Sequence, residues 1–201
     1  MKKKILVCAL IAFCLSIVAY GTTAYLTVDE TSHNVITSGG IKIDLQEYAD
    51  PNGDGNLVPF EDVLNVFPGM DISKIVQVQN IGLEPTWVRL TVEKSITLAE
   101  DREGEIDLSL VTYDLNTEYW TEKDGYYYYN EILKPGAKTE PLFTEVTFSP
   151  TMGNMYQEST ATIKVNAYAT QSANNGKTVL DAAGWPMDIT ETENNENITE
   201  E

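Results

Sequence analysis

The residues whose types and spacing best fit a chemical task lie between Asp50 and Glu61. Their order, Asp-Pro-Asn-Gly-Asp-Gly-Asn-Leu-Val-Pro-Phe-Glu, satisfies the calcium-loop pattern D-x-[DN]-x-[DN]-G-x₅-E at every specified position. Such loops give calcium side-chain oxygens from positions one, three and five, a carbonyl from position seven and a bidentate carboxylate from position twelve. The spacing predicts a structural Ca²⁺ site with the ligands Asp50, Asn52, Asp54, Asn56 (through its carbonyl) and Glu61.

The same segment is also typical of the end of a β-hairpin. Asn52-Gly53 and Asp54-Gly55 are two of the strongest two-residue turn signals. No helical pattern precedes Asp50, and Pro59 stands where a following helix would begin. The sequence therefore leaves two interpretations open, a calcium loop and a plain polar turn.

The chain has few of the residues and none of the common motifs that carry catalysis. The single histidine, His33, has no second histidine beside it for a zinc site or a dyad. There is no HExxH, no GxSxG and no phosphate-binding glycine loop. Paired carboxylates are inevitable among 31 acidic residues and carry no information. We expect no catalytic residue and no enzyme.

The aromatic run Tyr126-Tyr127-Tyr128-Tyr129 could serve packing or sugar binding. In a strand, alternation places Tyr126 and Tyr128 on one face and the other two on the opposite face. One pair is expected to pack into the core and the other to cover a sheet or an interface, as tyrosine commonly does in strands. Carbohydrate binding remains the alternative.

The elements that would position these residues are β-strands. Alternation is clearest from Ser159 to Gln171, where five apolar residues from Ala161 to Ala169 face one way, which predicts a half-buried strand. Turn signals such as Pro68-Gly69 and Pro135-Gly136 separate the strands, and the one plausible helical turn is Thr178 to Ala183. This pattern predicts an all-β sandwich. The other candidate strands are 40–47, 72–79, 86–94, 106–113, 118–122, 126–132 and 142–148.

The two ends of the chain have compositions of their own. Lys2 to Lys4 precede an uncharged apolar run from Ile5 to Ala19 and then small residues, which is typical of a secretory signal peptide over residues 1–24. The small residues fit cleavage after Gly21 or after Ala24, and an uncleaved membrane anchor is the alternative. The acidic segment 188–201 is expected to be disordered, because it has almost nothing to bury.

Composition narrows the possible partners. The formal net charge is −18, and it becomes −21 when Lys2, Lys3 and Lys4 leave with the leader. Cys8 and Cys14 leave too, so no disulfide can stabilise the remaining domain. So acidic a surface excludes nucleic acid as a partner and limits membrane contact to the chain before signal cleavage.

Several segments, taken in order over residues 1–187, resemble the secreted TasA/camelysin-type fibre proteins of Gram-positive biofilms. The first are Gly21 to Leu26, with Tyr25 after the cleavage point, and Ser38 to Leu45. Later ones are closer to a clostridial, pilin-like branch. The segments that carry this likeness are 68–69, 76–82, 87–90, 124–129, 133–136, 167–171 and 182–185.

The resemblance implies a jelly-roll sandwich over residues 37–187 and cleavage between Ala24 and Tyr25 by a SipW-type signal peptidase. It also implies a secreted or cell-surface subunit that polymerises with copies of itself by donor-strand complementation. Residues 25–36 would be the donor, although their middle, Asp29 to Asn34, is polar. Its apolar contributors would be Tyr25, Leu26, Val28, Val35 and Ile36.

The sequence leaves one alternative function open and gives little support to another. A monomeric cell-surface adhesin or carbohydrate-binding module would be marked by exposed Tyr and Trp side chains on one face. A calcium-dependent protease is a third, poorly supported interpretation. Some members of the resembled family have been described as metalloproteases, but one histidine cannot build the usual site.

Overall fold

The computed structural model describes residues 26–29, 34–37, 40–61 and 63–186, with backbone only at 26–29, 34, 64 and 65. Thirteen strands and three single-turn 3₁₀ helices lie in these ranges. The 3₁₀ turns are Leu108–Leu110, Asn154–Tyr156 and Val179–Asp181. The strands are β1 Leu26–Asp29, β2 Asn34–Thr37, β3 Ile43–Ala49, β4 Val58–Pro59, β5 Val63–Val66, β6 Asp71–Ser73, β7 Ile75–Asn80, β8 Thr86–Thr97, β9 Val111–Tyr113, β10 Trp120–Lys123, β11 Tyr126–Tyr129, β12 Glu145–Phe148 and β13 Ser159–Gln171.

The first layer is a seven-stranded sheet built around β8 and β13. These two longest strands pair antiparallel over twelve residues, from Thr86 with Gln171 to Thr97 with Thr160. The order across the sheet is β10-β11-β8-β13-β1-β5, and β2 also pairs with β13. Strand β13 therefore has β8 on one edge and the N-terminal strands on the other.

The second layer consists of two three-stranded sheets, β6-β12-β9 and β4-β3-β7. Backbone hydrogen bonds join them, because Leu142 N donates to Val76 O (2.9 Å) and Thr139 N donates to Val78 O (2.9 Å). The chain before β12 thus pairs with β7, and both sheets act as one face. The two layers enclose one apolar core, so the all-β sandwich predicted from the sequence is confirmed.

The core side of β13 follows the predicted alternation. Ala161, Ile163, Val165, Ala167 and Ala169 are all at most 2% exposed. The other face divides in two, since Thr160, Thr162 and Lys164 are half-buried whereas Asn166, Tyr168 and Thr170 are buried. The prediction of a half-buried strand is therefore right for the first half and wrong for the second, where residues 172–186 cover the outer face.

One predicted strand is partly wrong for a local reason. Residues 106–113 contain a strand only from Val111 to Tyr113, and Leu108–Leu110 form a 3₁₀ turn. The Asp107 carboxylate starts this turn by accepting from Ser109 N (2.9 Å) and Ser109 Oγ (2.6 Å). Such local side-chain bonds compete with a strand ladder. The expected helical turn near Thr178 is present as Val179–Asp181.

Some sequence predictions fall outside the described residues. These are the signal peptide 1–24, the cleavage pair Ala24 and Tyr25, His33 and the acidic tail 188–201. They stay predictions.

A buried ion pair ties the second layer together. Lys74 Nζ lies 2.7 Å from Glu47 Oε2, with the two side chains 1% and 3% exposed. The same ammonium lies 3.8 Å from the centroid of the Phe60 ring. Glu47 is on β3, and Lys74 stands between β6 and β7, so the pair fixes these strands at one point. Neither charge can reach water when the other is removed.

Removing one partner of this pair should destabilise the protein strongly. Lys74→Met leaves the Glu47 carboxylate buried and unpaired, for which we expect a loss of about 3–5 kcal/mol in the free energy of unfolding. The double variant Lys74→Met/Glu47→Leu should recover most of that loss, because no buried charge remains. Urea unfolding measures all three proteins. Equal losses in the single and double variants would contradict this account.

Candidate functional site

The N-terminal segment lies along the free edge of β13 and is held there by backbone pairing. Strand β1 pairs parallel with the start of β13, from Leu26 with Ser159 to Asp29 with Thr162. Strand β2 pairs parallel with its end, from Asn34 with Asn166 to Thr37 with Ala169. The predicted donor segment therefore sits on the longest strand of its own chain. Asp29 and Asn34, which bound its polar middle, both take part in the ladder.

The two N-terminal strands, β1 and β2 (called the two blocks below), pair with β13 in registers that differ by one residue. Leu26 and Ser159 differ by 133 in sequence, whereas Asn34 and Asn166 differ by 132. Four residues, 30–33, thus connect the blocks beside three residues, 163–165, of β13. The extra residue makes this a less regular partner than β8, which keeps one register over its full length.

Strand β13 also retains two buried polar atoms without a hydrogen-bond partner among the described residues, Ser159 Oγ and Asn166 Oδ1. These residues are 1% and 2% exposed, and they pair with Leu26 and Asn34, the first residues of the two blocks. An unsatisfied buried polar group costs about 1–3 kcal/mol. The edge of β13 is therefore covered, whereas these two side-chain oxygens of the strand lack a partner among the described residues.

Strand β1 has a second neighbour, β5, which sequence reasoning missed. Leu26 pairs antiparallel with Val66 and Val28 with Val63. Four residues, Val-Leu-Asn-Val, make a short strand with no turn signal next to it except Pro68-Gly69, so its pattern is weak. Because β5 touches β13 only through β1, it depends on whatever strand occupies this edge.

The tyrosine run confirms the alternation expected from the sequence. Tyr129 is in the main core and Tyr127 packs against it, whereas Tyr126 and Tyr128 belong to a second cluster on the outer face. That cluster surrounds Arg89, whose guanidinium carbon lies 3.8 Å from the Tyr126 ring centroid and 4.6 Å from that of Trp185. These rings are half-buried or buried, meet one another tilted or edge to face, and pack around Arg89. They do not form an open platform for a sugar.

Residues 172–186 pack onto this cluster, and hydrogen bonds of Asn175 hold them in place. Its amide donates to Gln171 O (2.8 Å) and Ala183 O (2.9 Å), and its side-chain oxygen accepts from Ala183 N (2.8 Å). Its carbonyl accepts from the Trp87 indole N–H (2.8 Å). The sequence signal was only the dipeptide Asn175-Gly176, which indicates a turn and not this role.

Asn175→Ala should release the C-terminal segment from the outer face. Four side-chain hydrogen bonds are lost, including one to Thr170 Oγ1 (3.4 Å), for which we expect a loss of about 1–3 kcal/mol in the free energy of unfolding. Hydrogen exchange followed by mass spectrometry should show faster exchange in residues 176–186, with β3 and β7 unchanged. The neighbouring variant Asn174→Gly is the control, because Asn174 is exposed and has a φ of 56° that glycine adopts without strain. Uniform acceleration across the whole domain would contradict a local role.

The calcium-like loop forms the exposed end of the β3–β4 hairpin. Both Asp50 carboxylate oxygens accept backbone N–H bonds, from Asp54 (3.1 Å) and from Gly55 (2.9 Å). The Asp54 carboxylate accepts from the backbone and the amide of Asn56, and the backbone bond is the main cause of its lowered pKa. Hydrogen bonds from backbone and amide N–H groups to the two carboxylates thus link the residues of the loop to one another.

The hairpin carries Glu61 away from the other predicted ligands. Val58 pairs with Ala49 and Pro59 with Tyr48, and Phe60 N donates to Glu47 O (3.0 Å). Glu61 is therefore four residues, about 13 Å, along the hairpin from the level of Asp50. Within the described residues, no group of three or more His, Cys, Asp or Glu side chains is placed to hold a metal ion. The arrangement does not fit a calcium loop in which Glu61 is the twelfth ligand, and calcium binding stays a prediction.

Calcium titration decides between loop and turn. If the loop binds calcium, the melting temperature should rise with calcium concentration, because the ion binds only the folded hairpin. We expect Asp54→Asn to abolish any such rise and Glu61→Gln to leave it unchanged, since Glu61 lies down the hairpin. Differential scanning fluorimetry and titration calorimetry measure this. If calcium gives the unaltered chain neither a heat of binding nor a change in melting temperature, the segment is a plain turn and not a calcium site.

Comparison of the chain with protein-family models, with curated proteins and with solved structures gives no match. Within the described residues, no helix has the length and apolar character needed to cross a membrane. The geometry of the β13 edge and the resemblance in the sequence are thus the two observations that bear on function.

Proposed function

We propose that this protein is a secreted structural subunit that polymerises into extracellular fibres by donor-strand complementation. The observation that carries the proposal is the pairing of residues 26–29 and 34–37 with one edge of β13. A strand edge with unpaired N–H and C=O groups is a template for another chain. A second copy of the same segment has the right hydrogen-bonding groups to occupy it.

The way the segment is attached supports an exchange between chains. It joins the domain through residues 38–40, and no disulfide can retain it, since both cysteines precede Tyr25. The register offset makes the segment an irregular partner for β13 within its own chain. Replacing this segment by the same segment of another chain costs little free energy, because the same backbone hydrogen bonds form again.

The end of the sandwich near Gln171 offers an apolar surface that a neighbouring subunit could cover. Leu83 is 89% exposed and Ile132 is 45% exposed. Asn80 holds their two loops together by donating to Glu84 O (2.8 Å) and Leu133 O (2.9 Å). Exposed apolar residues of this kind often mark contacts between proteins. They suit a subunit that buries this end in an assembly.

The monomeric adhesin or sugar-binding module is the weaker candidate. Its mark would be exposed aromatic rings, whereas Tyr126, Tyr128 and Trp185 pack around Arg89. For a metal-dependent enzyme, no group of three or more His, Cys, Asp or Glu side chains in the described part of the chain is placed to hold the ion. The proposed partner is therefore another copy of this chain, and the proposed location is the extracellular matrix or the cell surface.

Deletion of residues 25–36 should abolish fibres. The test compares chains that start at Tyr25 with chains that start at Thr37, by electron microscopy over a range of concentrations. Deletion of the tail 188–201 is the control and should leave fibres intact. Fibres from the chain that starts at Thr37, or monodisperse monomer from the intact chain at high concentration, would overturn the proposal.

A second measurement covers the case in which the shortened chain does not fold. A synthetic peptide of residues 25–37, added in excess to intact subunits, should occupy free β13 edges and shorten the fibres. A scrambled peptide of the same composition should have no effect. Equal fibre length with both peptides would contradict donor-strand exchange.

A further inference from the structure

The direction of the N-terminal segment along β13 restricts how two copies can join. Both of its strands run parallel to β13, so Leu26 lies at the Ser159 end and Thr37 at the Ala169 end. The segment thus points its C-terminal end toward the end of the sandwich where β13 finishes. How two copies join at this edge in a fibre rests on the proposed function.

The body of the subunit begins at that same end. Gly40 and Ile41 line a cleft of about 410 Å³ together with Thr170 and Gln171. The next residue, Lys42, accepts a backbone hydrogen bond from Ile81 N (3.0 Å), in the loop that precedes β8. Residues 38–40 span at most about 10 Å when extended. A donated segment therefore leaves its own body close to the Gln171 end.

A parallel segment in the neighbour would bring two identical ends together. Thr37 of the donor would lie at the acceptor's Ala169, and the short linker would hold the donor's Gln171 end against the acceptor's Gln171 end. Each subunit would then give and receive its segment at one end. Such a contact is isologous and closes by a two-fold axis into a strand-swapped dimer, with no edge left for growth.

An antiparallel segment gives the opposite result. Thr37 of the donor would lie at the acceptor's Ser159, so the donor's Gln171 end would meet the acceptor's Ser159 end. This contact joins two different ends, and a heterologous contact that does not close produces a filament. An antiparallel ladder is also slightly more stable per residue than a parallel one.

We propose that the segment reverses its direction when it passes to a neighbour: parallel to β13 within its own chain, antiparallel to β13 in the fibre. The edge of β13 can accept either direction, because its N–H and C=O groups are the same. When the same stretch of β13 is covered, reversal moves Val35 from Ala167 to Ala161. Both alanines face the core and are at most 1% exposed, so they make a matched pair of reporter positions.

Disulfide trapping between different chains tests this reversal. All chains start at Tyr25 and lack cysteine, so each introduced cysteine is the only one. Chains with Val35→Cys are mixed with chains carrying Ala161→Cys in one sample and Ala167→Cys in the other, assembled and oxidised. Sedimented fibres are analysed by non-reducing electrophoresis and mass spectrometry. We expect a 35–161 cross-linked dimer in the first sample and loss of the 35–167 product to background in the second.

Controls separate the failure of this inference from the failure of the proposed function. The double variant Val35→Cys/Ala167→Cys should form an internal disulfide in the monomer, which establishes that cysteines at these positions can react. Fibres whose chains are linked through 35–167 would overturn the reversal while the fibre function stands. A closed dimer or a monomer as the sole species of the intact chain would overturn the fibre function and the reversal together.

Discussion

The backbone of β13 must be hydrogen-bonded on both edges, and this requirement organises the whole structure. Unpaired N–H and C=O groups are costly inside a protein, and β13 is the longest strand with the most buried core face. Strand β8 satisfies one edge over twelve residues. The other edge pairs with the short strands β1 and β2. In the proposed fibre, a segment of a second chain would meet the same requirement at this edge.

Both termini of the described chain serve this one strand, in different ways. The N-terminal segment pairs with its edge, whereas residues 172–186 cover the outer face of its second half. The first half of the outer face stays polar and half-buried, at Thr160, Thr162 and Lys164. The division separates a rigid end, fixed by Asn175 and the Arg89 cluster, from a more open end near Ser159. It gives the sandwich two chemically different ends, as a directional assembly requires.

Much of the fold follows from alternation in the sequence, because alternation records which face of a strand is buried. It predicted the core positions of β13 and the two faces of the tyrosine run. It failed where burial came from segments distant in sequence: Tyr168 packs against Tyr126 and Arg89, and Thr170 donates to Ala183 O, and both are buried. It also missed β5, whose partner β1 is 35 or more residues away in sequence.

Local motifs were less reliable than patterns over a whole strand. The segment Asp50 to Glu61 matches a calcium loop letter by letter, but such spacing brings the twelfth residue back only when a helix follows the loop. Here β4 follows, and a strand rises about 3.3 Å per residue, so Glu61 moves away instead. The Asp107 turn likewise interrupts a stretch that reads as a strand. A motif fixes residue types, whereas the backbone that follows it decides where they go.

The one-residue offset between the two paired blocks bears on how such a sequence can change over time. Because the side-chain period of a strand is two, the offset lets both Val28 and Val35 pair with core-facing alanines, Ala161 and Ala167, although their separation is odd. Substitutions within residues 30–33 keep both valines paired with these alanines. Gain or loss of a single residue there would instead point the side chains of one block to the opposite face of the sheet. Related chains should therefore tolerate varied residue types between the blocks while preserving the number of residues.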